Sequence, residues 1–383
     1  MMDDIAIPTV GDNAEAALTP AQPTSAARAV VAFCDRYSVL ILALLLLGVI
    51  PAATEPFRLA LFGKYLTFAF CAVGLVLAWG YGGILSLGQG IFFGLGSYLI
   101  AMTMKLEATS ADPAAAVFNP DGPPVPDFMT WNSIDVLPWW WAPFEHLWFA
   151  LAAAIVLPAG IAFVLGYANF RKRVSGVYFS IVTLCLAAMA SIVIVGQQGY
   201  TGGINGITNL TTFAGYDIRS DVSVYVIYFA TAALLLVCVL LGKFILKSRL
   251  GKVLIAVRDR EDRIRFSGYD PAMFKAVIFA FAAFFSACGG ALFTLQVGFA
   301  SPSVSGIVPS IEMVIYAAVG GRLSLVGAVY GTLIISLAKS LLSEQFPSLW
   351  MYFMGVVFIV VTMMFPKGLS GALDRFRTGH EVR

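Results

Sequence analysis

The feature that most constrains this chain is a succession of apolar runs filling it from residue 37 to residue 365. They fall near 37–54, 59–80, 84–104, 147–169, 174–196, 222–246, 276–297, 324–342 and 348–365, with a shorter one near 306–321. A helix needs about 20 residues to cross roughly 30 Å of hydrocarbon, so the long runs match membrane spans and the short one makes a tenth. Several are apolar on every face, which excludes a porin-like barrel of alternating strands of about 10 residues each. Composition agrees: 59% of the 383 residues are hydrophobic and 12% are charged. A soluble domain of this size would leave too much of that apolar surface in water. The expected class is all-α, a polytopic helical membrane bundle of about ten spans over residues 37–366.

Charge placement sets the expected orientation. Net charge is +2, too small and dispersed for a nucleic-acid protein, and no nucleic-acid partner is expected. Residues 1–36 are acidic at Asp3, Asp4, Asp12 and Glu15, unlike the basic start of a signal peptide, and read as a disordered cytoplasmic tail. Arg171, Lys172 and Arg173 lie between the fourth and fifth spans. Residues 247–275 carry Lys247, Arg249, Lys252, Arg258, Arg260, Arg263, Arg265 and Lys275. Positive loops stay in the cytoplasm, so both connections are placed there. The 105–146 loop holds Lys105 against Glu107, Asp112, Asp121, Asp127, Asp135 and Glu145 and is placed outside. Ten crossings then leave both termini in the cytoplasm, the last as a tail over 367–383. The tryptophans at 131, 139–141 and 148 read as an aromatic belt at the outer interface, with a docking surface for an external protein as the alternative.

Three polar strings interrupt the apolar text. Gly80-Tyr81-Gly82-Gly83-Ile84-Leu85-Ser86-Leu87-Gly88-Gln89-Gly90 is dense enough in glycine for close helix packing or for a break whose freed backbone groups line a path. Tyr81, Ser86 and Gln89 are its polar members. A related string, Gly320-Gly321-Arg322-Leu323-Ser324-Leu325, falls on the same side and suggests a parallel repeat, with Ser324 matching Ser86. On the outer side, Thr201-Gly202-Gly203-Ile204-Asn205-Gly206-Ile207 reads as a plain turn cluster or as the place where Gly202 and Asn205 meet a neutral solute.

The basic connection reads as one amphipathic helix from Lys252 to Phe266. Leu254, Val257, Glu261 and Ile264 fall on one stripe, Arg258, Asp262 and Arg265 on another, with a stop at Gly268 and a turn at Asp270-Pro271. A solvated positive loop would need charge alone; a glycine-terminated helix of mixed sign is something a cytoplasmic partner can grip. Within the spans, Glu312 and Lys339 carry costly charge and are expected to face the bundle or a partner, with their mutual pairing left open. Cys71, Cys185, Cys238 and Cys288 lie in apolar runs without metal-ligand spacing, and His146 and His380 are the only histidines. No metal or cofactor is expected. A GxxxxGK[ST] string is missing, so ATP, if it drives transport, binds another polypeptide.

Together these strings resemble the membrane subunits of branched-chain amino acid type ABC importers. GYGGILSLGQGIFFGLGSYL is similar to the family's first signature, RVSGVYFSIVTL with TGGINGI to its second, and SRLGKVLIAVRDREDRIRFSGYDPAMFKAVIF to its cytoplasmic coupling segment. SIEMVIYAAVGGRLSLVGAVYGTLIISLAKS and LWMYFMGVVFIVVTMMFPKGLSG resemble the urea-importing permeases, in their longer membrane subunit. Gln89-Gly90 departs from the family's common His followed by Ala or Gly. The resemblance implies a permease of the bacterial inner membrane, in lipid, beside a homologous permease subunit, two cytoplasmic ATPase subunits and a periplasmic solute-binding protein. It further implies that Gly251, Ala256, Arg258, Glu261 and Gly268 form the coupling helix. Tyr81, Ser86, Gln89, Gly202, Asn205, Glu312 and Ser324 are the candidate pathway residues. Urea suits neutral hydrogen-bonding partners; branched-chain amino acids and short amides compete as cargo, and a self-sufficient channel or carrier is the rival mechanism. A membrane-embedded enzyme lacks a catalytic cluster.

Overall fold

The computed structural model describes residues 37–111, 125–174, 176–346, 349–364 and 368. The two expected tails lie outside them, Gly368 excepted. Each expected span corresponds to a helix: α1 Tyr37–Ala53, α2 Pro56–Tyr81, α3 Gln89–Ala111, α4 Leu147–Arg171, α5 Val177–Gly196, α6 Asp221–Lys247, α8 Pro271–Val297, α9 Ile307–Gly320, α10 Leu325–Gln345 and α11 Trp350–Met364. Helix α7, Arg249–Phe266, is the amphipathic one. Seven of these, α2 to α6, α8 and α10, are long and apolar enough to cross a membrane. The chain is an all-α polytopic membrane protein.

Burial divides the long helices into two groups. The most apolar window of α2 is 72% buried, that of α3 78% and that of α8 67%, whereas α4 and α5 reach only 28% and 22%. Helix α8 packs against α2, α3 and α4. Close approach of the inner helices depends on residues without bulk: a Cβ on Gly96 would strike the Ala287 carbonyl, and one on Gly290 would strike the Phe93 carbonyl. Helix α4 buries every fourth residue, Ala150, Ala154, Pro158, Ala162, Gly166 and Phe170, and leaves the rest of its surface half-buried or exposed. Apolar residues exposed in this pattern face lipid rather than water.

The bundle has a basic end and an acidic end. The Arg171–Arg173 turn, α7 and both glycine strings gather at the first, the end that the charge rule assigns to the cytoplasm. At the other, the outer part of α3 anchors the loops. Lys105 Nζ pairs with Asp127 at 3.0 Å and donates to the Thr208 carbonyl, while the Glu107 carboxylate accepts the Ala214 and Gly215 amides at the turn of a small hairpin, Thr212–Phe213 with Tyr216–Asp217. A second apolar core lies under these loops, around Met102, Phe128, Met129 and Phe144. Trp131, Trp139 and Trp148 stand about four-fifths exposed there.

Candidate coupling and translocation site

The structure corrects the start of the third span. Residues 84–88, read from sequence as the beginning of a helix, are not helical: α2 ends in a π-helical turn, Val76–Tyr81, and α3 begins only at Gln89. Gly83 makes the turn out of α2 with φ +68°. Backbone released from a helix inside a membrane needs partners, because hydrocarbon offers none. Helix α5 supplies them. Ser180 Oγ donates to the Leu85 carbonyl at 2.7 Å, Thr183 Oγ1 accepts from the Leu87 amide at 3.0 Å, and a Cβ on Gly88 would collide with the Thr183 carbonyl. Ser86, fully buried, turns its Oγ to the Gly88 amide at 3.4 Å.

Helix α3 therefore starts deep in the bundle. Gln89 is fully buried and its Oε1 accepts from Ser286 Oγ at 2.9 Å, near the middle of the 27-residue α8. Its Nε2 has no partner among the described residues. The Gly90 amide donates to Ser310 Oγ at 3.1 Å, in the first turn of α9. The 14-residue α9 covers about 21 Å at 1.5 Å per residue, less than a full crossing. It is preceded by a short 3-10 turn, Pro302–Ser305, so it too begins well inside. Two helix N-termini thus meet at mid-depth.

At the basic end the two glycine strings touch. Tyr81 Oη donates to the Leu323 carbonyl at 2.6 Å, and a Cβ on Gly80 would strike the Arg322 carbonyl. Gly321 turns the second string with φ +114°, and Ser324 caps α10 by accepting the Gly327 amide at 3.0 Å. Arg258 of α7 closes the group: its Nη1 donates to the Gly80 carbonyl at 2.8 Å and its Nε to Asp259 at 2.9 Å. Between them lies a cleft of about 440 Å³ lined by Trp79, Gly80, Gly83, Arg258, Arg322 and Leu323. Helix α7 thus holds, by one guanidinium, a carbonyl in the last turn of α2, just before the non-helical stretch that leads to α3.

Helix α7 differs from its expected form. Arg260 has non-helical angles, φ −149° and ψ 77°, so the helix is kinked and the stripe through Glu261 and Ile264 does not continue that of Leu254 and Val257. The first half is seated by Gly251, Leu254 and Val257, all buried; a Cβ on Gly251 would strike the Leu246 carbonyl at the α6–α7 corner. Ala256 is half-buried on the same half. Gly268 ends the helix with φ +84°, and the Asp270 side chain caps α8 by accepting from the Ala272 amide at 3.0 Å. Glu261 bridges Lys275 at 2.6 Å and Arg265 at 2.8 Å, tying the second half to the root of α8. Burial alone would raise the Glu261 carboxyl, but the hydrogen bonds and charges of Lys275 and Arg265 outweigh it and hold the group below the ordinary carboxylate range.

The remaining candidates lie apart. Glu312 and Lys339 do pair, with Nζ 2.8 and 2.9 Å from the two carboxylate oxygens, and Tyr316 Oη donates weakly to Glu312 at 3.4 Å. Gly202, in the left-handed region at φ +76°, and exposed Asn205 sit at the acidic end, where Ile207 bridges Ala300. Ser180, Thr183, Ser286, Ser310 and Arg322 were missed as contributors. Ser180, Thr183 and Ala187 share one buried face of α5, and that i, i+3, i+7 spacing was the available signal. Among the described residues, no group of three or more His, Cys, Asp or Glu could hold a metal.

The family described as the permease component of branched-chain amino acid transport systems matches residues 57–362, a stretch that contains both glycine strings, the break and α7. The chain belongs to this family. Curated relatives include the high-affinity branched-chain amino acid transport system permease protein LivM of Salmonella typhimurium, 27% identical over 244 residues, and that of Escherichia coli, 28% identical over 244 residues. Each alignment covers 58% of this chain and 57% of the relative, so the chain spans little more than half the length of the relatives it matches. No solved structure matches. The permease has its two glycine strings, and the helix that touches them, inside the matched region.

Proposed function

We propose that this permease is the membrane-spanning subunit of an ATP-driven importer in the bacterial inner membrane, working with a homologous permease subunit, two cytoplasmic ATPases and a periplasmic solute-binding protein. One observation carries the reading: α7, on the end assigned to the cytoplasm, grips through Arg258 the Gly80 carbonyl in the last turn of α2, just before the break. A partner that moves α7 pulls on the end of α2, next to residues 84–88, which are not helical. The coupling helix is Arg249–Phe266, with Arg258 as the link to the break and Glu261 holding its second half to α8.

The proposed cargo is urea. The mid-depth groups around the break, Ser86, Gln89, Ser286 and Ser310, are neutral hydrogen-bonding side chains, which suit a small uncharged amide. Branched-chain amino acid is the second reading. It is favoured by the two N-termini at mid-depth, whose partial positive charge suits a carboxylate, and by the cargo in the relatives' names. Uptake of labelled urea, competed with isoleucine or acetamide in cells with and without the permease, decides between them. Urea uptake that depends on this chain and resists isoleucine supports the first reading; isoleucine uptake that resists urea overturns it.

A further inference from the structure

A second cleft, of about 140 Å³, opens at the basic end between the α4–α5 turn and the kinked half of α7. It is lined by Arg173, Arg265 and Lys275 against Glu261 and Asp262, with Phe170 at its apolar wall. Both Glu261 oxygens are already engaged, one by Arg265 and one by Lys275. Three cations face two carboxylates, so one positive charge remains to be matched. Arg265 Nε is buried without a partner among the described residues, and Arg173 is exposed and in no ion pair among them. Arg173 sits in the α4–α5 turn at φ +62°, with its amide bonded to the Phe170 carbonyl at 3.0 Å. Arg171 and Lys172 adjoin it.

The cleft sits where α4 ends and α5 begins, and these are the two long helices with the most exposed apolar surface. On these two helices Val164, Val177 and Tyr178 are each about two-thirds to three-quarters exposed. A ligand that fits has an anionic head for the arginines and a hydrocarbon tail for the helices. We infer that this cleft binds the phosphate headgroup of an anionic phospholipid of the inner leaflet, with its acyl chains along α4 and α5. The cleft shares Glu261, Arg265 and Lys275 with the contacts that hold the second half of α7 to α8, so a seated headgroup stiffens that half of the coupling helix. The site goes beyond the importer reading and does not depend on which solute is carried.

The test is retention of lipid by the purified full chain, with whatever subunits accompany it, measured by native mass spectrometry after exposure to phosphatidylglycerol or phosphatidylcholine. The expected result is preferential retention of phosphatidylglycerol, on the order of tenfold, reduced several-fold in Arg173→Gln and abolished in Arg173→Gln with Arg265→Gln. Arg219→Gln, at the acidic end, should retain lipid like the parent. Since the double variant can fail to fold, the single exposed Arg173→Gln is decisive by itself. Equal retention of the two lipids, or parental retention by Arg173→Gln, overturns the site. Displacement of the lipid by millimolar inorganic phosphate or ATP with no acyl-chain dependence shows a free-phosphate site and overturns the lipid assignment.

Discussion

The two glycine strings share the pattern Gly-Gly-x-Leu-Ser-Leu, yet they fold differently. After Gly321 the chain makes a tight turn, and Ser324 caps a helix that starts at the next residue. After Gly83 the same letters run on without helix to Gly88, and the serine at the matching place is buried beside that break rather than capping a helix. The difference lies in the neighbours. Helix α5 brings two hydroxyls to the first string, Ser180 on the Leu85 carbonyl and Thr183 on the Leu87 amide, whereas among the described residues the second string receives Tyr81 Oη on the Leu323 carbonyl and no hydroxyl on the amide of Leu325. A break inside a membrane persists where another helix answers its backbone. The second string keeps the local solution, a capped helix.

That contrast can be broken by substitution. The largest effect is expected from Gly88→Val, which drives side-chain atoms into the Thr183 carbonyl at a place where backbone must yield. Overpacking of this kind costs about 1–3 kcal/mol or more, and folded permease recovered in detergent should fall sharply. Arg258→Ala removes a charge-assisted hydrogen bond, a class worth about 1.5–3 kcal/mol. Solute uptake should drop about tenfold or more while the ATPases still co-purify, read by uptake and by pull-down. Thr183→Val keeps shape but leaves the Leu87 amide unpaired, a loss of about 1–3 kcal/mol in thermal stability. Ser324→Ala should cost only about 1 kcal/mol, as for an ordinary helix cap. Equal effects of Thr183→Val and Ser324→Ala would erase the distinction between the strings.

The smallest effect is a pH dependence at Glu261. Its carboxyl is held below the ordinary range, so its contribution is present above the unfolded carboxylate pKa and is lost as pH falls through the lower folded value. The pair is partly exposed and therefore screened, which keeps the effect small. Melting temperature followed into acid should decline less for Glu261→Gln than for the parent. Parallel curves would mean the bridge to Lys275 contributes nothing to holding α7.

The spans were legible because a 3.6-residue helix crossing hydrocarbon leaves a long apolar run, and every run from Tyr37 to Met364 has its helix. The ends of spans were less so. Residues 84–88 are as apolar as helix text, and their non-helical backbone is answered by Ser180 and Thr183, about 95 positions away in sequence. The kink at Arg260 is equally silent: nothing in Arg-Asp-Arg-Glu-Asp-Arg disfavours helix. Arg258 and Glu261 were placed in the coupling helix by resemblance, and both prove to have contacts within the chain, to Gly80, Asp259, Lys275 and Arg265. Whether Glu312 and Lys339 pair was left open by the sequence. Two opposite charges in neighbouring spans are less expensive together, and Glu312 and Lys339 meet.

The account turns on α7 transmitting force from a separate motor to the end of α2, just before the break. The most direct measurement is ATP-dependent accumulation of labelled urea by the co-purified complex in proteoliposomes, with parent and Arg258→Ala compared for both uptake and hydrolysis. The parent should concentrate solute only when ATP is present, and Arg258→Ala should keep hydrolysing while accumulation collapses. Undiminished accumulation in Arg258→Ala, or uphill accumulation by the permease with no other polypeptide present, would contradict it.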